Sequence, residues 1–142
     1  MLVTQILKSK GDAVFTAAPN ETLGALAGML NARKVGALVV LDQDRVVGIV
    51  SERDVIRAVA EAGAEALSRP LSEFMTKDVI FAEPGDTVDS VLGKMTDRRI
   101  RHLPVCKDDR LVGIVSIGDL VKSKIGEVEA EADGLRAYIA AS

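Results

Sequence analysis

A chain of 142 residues, 48% of them hydrophobic, can bury a core of ordinary domain size, but only 3% are aromatic, so Val, Ile, Leu and Ala must build it. The formal net charge of −3 argues against broad binding to nucleic acid or an anionic membrane, which needs a basic surface. One cysteine, Cys106, excludes an intrachain disulfide and a multi-cysteine metal site.

Taken in order, Met1 to Lys8 lacks a signal-peptide pattern, and no apolar run is long enough to cross a bilayer. A soluble, cytoplasmic protein without membrane contact is the expectation. Val3, Ile6 and Leu7 stand at helical spacing and stop at Lys10-Gly11-Asp12, which predicts a short helix packed on the body that follows. Val14-Phe15-Thr16 reads as a short strand. Thr22 can cap a helix whose apolar face is Leu23, Leu26, Ala27 and Leu30. Ala37 to Leu41 and Arg45 to Val50, joined by Asp42-Gln43-Asp44, read as a hairpin. Ser51 then opens a helix expected to bury Val55, Ile56 and Val59.

The whole pattern returns. Gly48-Ile49-Val50-Ser51-Glu52-Arg53-Asp54 reappears 65 residues later as Gly113-Ile114-Val115-Ser116-Ile117-Gly118-Asp119. At that offset 16 of the 44 residues from Val14 to Arg57 are identical without a gap, which is internal duplication. Each copy reads strand, helix, strand, strand, helix. The second copy supplies a helix face of Val88, Val91, Leu92 and Met95 and hairpin strands Leu103–Cys106 and Leu111–Val115. Cys106, beside Val105, reads as a small buried apolar residue.

These elements divide the chain into repeats over 14–62 and 79–126, a structured connector over 63–78, and a tail over 127–142. The connector ends in a helical turn at Leu71 to Met75. The tail reads as an amphipathic helix with Val128, Ala132, Leu135 and Ile139 on one stripe. A single unit of about 45 residues buries too little apolar area to offset its chain entropy. The expected fold is therefore mixed α+β, with two repeats packed about a pseudo-twofold axis and flanked by N-terminal and C-terminal helical segments. Such packing would leave two clefts between the repeats, where a small ligand is expected.

Ser51-x-x-Asp54 and Ser116-x-x-Asp119 each satisfy a capping box. The preceding Gly-Ile-Val adds a second role, because it leaves an exposed strand-to-helix junction. A carboxylate there can accept two hydrogen bonds from a ribose diol, while the serine hydroxyl and helix N-terminus suit sugar or phosphate oxygens. The copies differ just before their second hairpin strands. Arg98-Arg99-Ile100-Arg101-His102 faces a counterpart of Arg33-Lys34-Val35-Gly36-Ala37, and arginine forks suit phosphate. The Asp54 cleft is thus expected to take the more anionic ligand. His102 has no cysteine or serine partner at a catalytic spacing, and no zinc cluster, phosphate loop or dinucleotide fingerprint occurs. Asp108 and Asp109 fall in a hairpin turn, where solvation accounts for them.

The duplicated Gly-hydrophobic-hydrophobic-Ser-x-x-Asp pattern, the hairpins and His102-Leu103-Pro104-Val105 resemble the cystathionine beta-synthase (CBS) domain family, whose paired modules bind adenine nucleotides. The resemblance covers Val14–Arg57 and Val79–Lys122 and implies a tandem module, commonly a disk-like homodimer. It implies one cleft combining Ser116 and Asp119 with Thr16, Ala17 and Ala18 and with Val35, Gly36 and Ala37. It implies another combining Ser51 and Asp54 with Val79, Ile80, Phe81 and Ala82 and with Ile100, Arg101 and His102. Arg53, Arg99 and Pro104 complete the implied nucleotide-binding set. The function this implies is a non-catalytic sensor of AMP, with ATP, ADP or NAD(H) as competitors, no catalytic cofactor or metal, and output through an effector protein. An enzyme acting on a nucleotide and a purely structural interaction module are the rivals.

Overall fold

The structure, a computed structural model, describes residues 1–11 and 13–141. Asp12, at the foreseen end of the first helix, and Ser142, the last residue of the foreseen tail, lie outside the described residues. The first repeat contains β1 (Thr16–Ala17), α2 (Leu23–Arg33), β2 (Ala37–Asp42), β3 (Arg45–Ser51) and α3 (Glu52–Ala62), preceded by α1 (Val3–Lys10). Two 3-10 turns, Gly63–Ser68 and Leu71–Glu73, lead to α4 (Val88–Arg98), β4 (His102–Lys107), β5 (Arg110–Ser116) and α5 (Ile117–Ala141). Thr22 and Thr87 cap α2 and α4 at matched positions, each accepting a hydrogen bond from a backbone N–H three residues on, at 3.1 Å.

In the first repeat β1 runs parallel to β2, and β2 pairs antiparallel with β3. The hairpin loop is only Gln43-Asp44, both at positive φ (51° and 64°), and Asp108-Asp109 repeats it at 53° and 63°. Two residues at positive φ match the right-handed twist of the flanking strands. The first strand of the second repeat is reduced to one parallel bridge, Ala82 to Val105. Ala82 N–H donates to the Pro104 carbonyl at 2.9 Å and Cys106 N–H to the Ala82 carbonyl at 3.0 Å. Pro104 stands where β2 has Val39, and it lacks the N–H that would extend the pairing.

Two clusters of buried residues form, not one shared core. Leu23, Leu26, Leu30, Leu38, Val40, Val50, Ala58, Ala66 and Leu71 build the first. Val3, Ile6, Leu7, Val88, Val91, Met95, Leu103, Val105, Val115 and Leu120 build the second. The N-terminal helix therefore packs on the second repeat and not on the body that follows it. Its entry is pinned there by Val3 N–H to the Asp86 carbonyl (2.9 Å) and by Thr4 N–H to the Pro84 carbonyl (3.0 Å). The connector mirrors this by packing Leu71 into the first cluster, with Phe74 and Met75 against it. Each repeat is closed by the segment that precedes the other.

Three further expectations need correction. On α3 the buried face is Asp54 and Ala58 with Val55 partly covered, while Ile56 is 70% exposed and Val59 is exposed as well. The tail is no separate helix, because α5 continues unbroken from the second repeat, and Val128, Leu135 and Ile139 on it are exposed. Cys106 is half-buried at the sheet edge, where burial and then Asp109 push its thiol pKa up.

Candidate functional site

Both junctions foreseen as ligand sites form strand-to-helix caps. Ser51 N–H donates to Asp54 Oδ2 at 2.8 Å, and Asp54 N–H donates to Ser51 Oγ at 3.4 Å. The corresponding bonds of Ser116 and Asp119 are 2.9 and 3.2 Å. Beyond the caps the two sites part. Asp54 is the one buried charged residue among those described, and its Oδ1 meets Arg57 Nη2 at 2.6 Å. Asp119 instead meets Lys10 Nζ of α1 at 2.6 Å. Burial, the largest single effect on Asp119, raises its pKa, but hydrogen bonds from Lys10 and Ser116 together outweigh it and hold the carboxyl below its ordinary range.

Asp54 faces a cavity of about 470 Å³, within the size that small-molecule sites occupy. Its walls come from both repeats. Gly36, Ala37, Ser51, Arg53 and Arg57 line it from the first, and Val79, Ile80, Arg99, Ile100, Arg101, His102 and Pro104 from the second. The basic residues reach it because α4 ends at Arg99 in the left-handed conformation (φ 54°), which turns Ile100 and Arg101 out of the helix towards β4. A Cβ at Gly36 would lie 2.7 Å from His102 Nε2 and 2.8 Å from Glu52 Oε1, so any larger residue would force these two side chains to shift. Burial lowers the His102 pKa; Glu52 opposes this, Lys10 and Arg101 add to it, and Asp119 opposes it. His102 is thus biased towards its neutral form, and charged groups of both aspartate sites, Glu52 on one side and Lys10 with Asp119 on the other, act on it.

The foreseen grouping is complete around Asp54 except for Phe81 and Ala82. Ala82 is fully buried in its bridge to Val105, and Phe81 lies 37% exposed beside it. The residues foreseen around Asp119 do not line one of the two cavities together. Gly36 and Ala37 line the Asp54 cavity, while Thr16, Ala17, Ala18 and Val35 line neither of the two cavities described. Asp119 faces a second cavity of about 880 Å³ between α1 and α5, walled by Gln5, Ser9, Lys10, Lys122 and Ser123 among others. Sequence reasoning missed Ile49, Glu52, Ile56, Arg57, Thr76 and Asp78 as lining residues. Arg57 was discoverable, since it stands one helical turn beyond Asp54. Among the described residues no group of His, Cys, Asp or Glu could hold a metal ion, and no helix is long and apolar enough to cross a membrane.

Duplicated α/β units, each closed by the segment that precedes the other and sharing a cavity lined by arginines and an aspartate, define a tandem α/β module. The CBS domain model matches residues 8–61 and 71–126, and the chain belongs to the CBS domain family. It is 34% identical over 146 residues to the mitochondrial CBS domain-containing protein CBSX3 of Arabidopsis thaliana, covering 96% of this chain and 71% of that one. A CBS-domain containing protein from Agrobacterium tumefaciens superposes with a TM-score of 0.84 at 44% identity, over 87% of this chain and 92% of that one. The CBS domain pair of protein MJ0100, solved in complex with 5-methylthioadenosine and S-adenosyl-L-methionine, superposes at 0.80 with 30% identity, over 89% and 98%.

Proposed function

We propose that the chain is a non-catalytic sensor of adenosine nucleotides, with AMP as the leading ligand and ATP, ADP and NAD(H) as competitors. The observation that carries this reading is the Asp54 cavity. It sets a buried carboxylate suited to a ribose diol against Arg53, Arg99 and Arg101, whose guanidinium groups suit phosphate oxygens. Val79, Ile80 and Ile100 give the same cavity an apolar side for an adenine ring. The adenosine-containing ligands of the similar CBS pair support that choice of base. Ligand would act by favouring one arrangement of the two repeats, and so alter a homodimer or the contact with an effector protein.

Asp54→Asn keeps an oxygen for the helix cap while removing the charge, which makes it the cleaner test. AMP affinity measured by titration calorimetry should fall roughly 10- to 100-fold, the worth of one or two hydrogen bonds to a charged group. Unchanged affinity for all four nucleotides would remove the site assignment. Turnover of bound nucleotide by the purified chain would favour an enzyme instead.

A further inference from the structure

The two aspartates of the duplicated motif are occupied differently. Asp54 pairs with Arg57, a residue of its own helix, and opens on a cavity walled by both repeats. Asp119 pairs with a residue 109 positions away in sequence. Lys10 Nζ donates to Asp119 Oδ2 at 2.6 Å and to the Ile114 carbonyl at 3.0 Å. At the matched place in the first repeat, Thr76 N–H donates to the Ile49 carbonyl at 2.9 Å, so backbone does there what the lysine does here. Lys10 is held by its helix, not by chance, because Val3, Ile6 and Leu7 of α1 are buried in the second repeat's core. Room for a ligand is present all the same, since the adjoining cavity is the larger of the two.

Resting on the nucleotide reading above, we propose that Lys10 is a built-in competitor for the Asp119 site. Its ammonium sits on Oδ2 of the carboxylate that a ribose diol would use, whereas the cation on Asp54, Arg57, itself lines the ligand cavity and can turn to a ligand phosphate, so the Asp54 cleft fills first. The Asp119 site fills only when a ligand displaces the lysine. Unequal occupancy then follows from which cation holds each aspartate, Lys10 of α1 or Arg57 of the cavity wall, and needs no difference between the two Ser-x-x-Asp motifs. A ligand carrying phosphate is favoured at that site, because the displaced ammonium would otherwise lose its anionic partner and Lys122 lines the same cavity.

Titration of AMP into four proteins tests this: the natural chain, Lys10→Met, Asp54→Asn and the double variant. The natural chain should show one tight event that Asp54→Asn removes. Lys10→Met should bring in a second event about tenfold tighter than in the natural chain, the scale of one lost charged hydrogen bond. The double variant should keep only that second event. If Lys10→Met titrates like the natural chain, or binds its second AMP more weakly, the competitor role is overturned. If none of the four binds AMP or ATP, the nucleotide reading fails and takes this inference with it. On the unaltered chain, the acylation rate of the Lys10 amine, followed by peptide mass spectrometry, should rise at saturating AMP. An unchanged rate with both sites filled would also overturn the proposal.

Discussion

At the scale of the residue, His102 couples the candidate site to pH. Burial is the main reason its pKa lies below the ordinary 6.5, with Glu52 pulling the other way. In the unfolded chain the same imidazole takes up a proton at its ordinary value, so below it the unfolded state binds more protons. Stability contributed by the neutral histidine is therefore present above about pH 6.5 and is lost as pH falls towards the lowered folded value. The melting temperature should drop between about pH 7.5 and about pH 5.5, and His102→Asn should flatten that part of the curve. Asp119 acts in a different window. Its pKa is held below the ordinary 3.8, so its contribution is present above that value and disappears in stronger acid. Asp119→Asn should leave the slope near neutrality intact, and an unchanged slope in His102→Asn would exclude the histidine as its source.

Among the elements, the crossed closure of the two repeats rests on two matched glycines. A methyl group at Gly113 would come 2.6 Å from Leu7 Cδ2 of α1, and one at Gly48 would meet Met75 of the connector at Sδ (2.6 Å), Cγ (2.8 Å) and Cβ (3.1 Å). Gly48→Ala should cost about 1–3 kcal/mol by overpacking, measured by urea denaturation. In the Gly48→Ala/Met75→Ala pair the loss should be smaller than the sum of the singles, because the second change removes the atoms the methyl meets. Strict additivity would mean that Met75 does not bear on the glycine. The glycines, caps and hairpins were legible because each rests on local spacing and repeats at a fixed offset. The crossed packing was not, since three apolar residues of α1 reveal a buried face without revealing which repeat it covers. Ile56 failed for a related reason, as a helical period fits two overlapping faces and the buried Asp54 selected the one that excludes it. The Asp54 cavity was legible down to Arg101 and His102. The Lys10–Asp119 contact was not, because nothing local joins residues at opposite ends of a chain.

For the whole molecule, α5 carries the feature that the two cores leave unused. Val121, Ile125 and Val128 stand at positions i, i+4 and i+7 of one helix and are 43%, 51% and 53% exposed in the order Val121, Val128, Ile125. Ile56, the counterpart of Val121 in the first repeat, is exposed on α3 as well. Each repeat thus presents an apolar residue at the same place on the helix that follows its Ser-x-x-Asp junction. A second copy packed on α5 would cover Val121, Ile125 and Val128, and by symmetry the same residues of its own α5 would be covered in return. Val121→Glu with Ile125→Glu would place two like charges in that contact without touching a residue that lines either cavity. In sedimentation equilibrium the natural chain should behave as a dimer and the variant as a monomer, with AMP binding at the Asp54 cleft retained. A natural chain that stays monomeric at micromolar concentration, or a variant that still sediments as the dimer, would move the contact off α5. Loss of AMP binding together with the dimer would instead show that the Asp54 cleft is completed by the second copy.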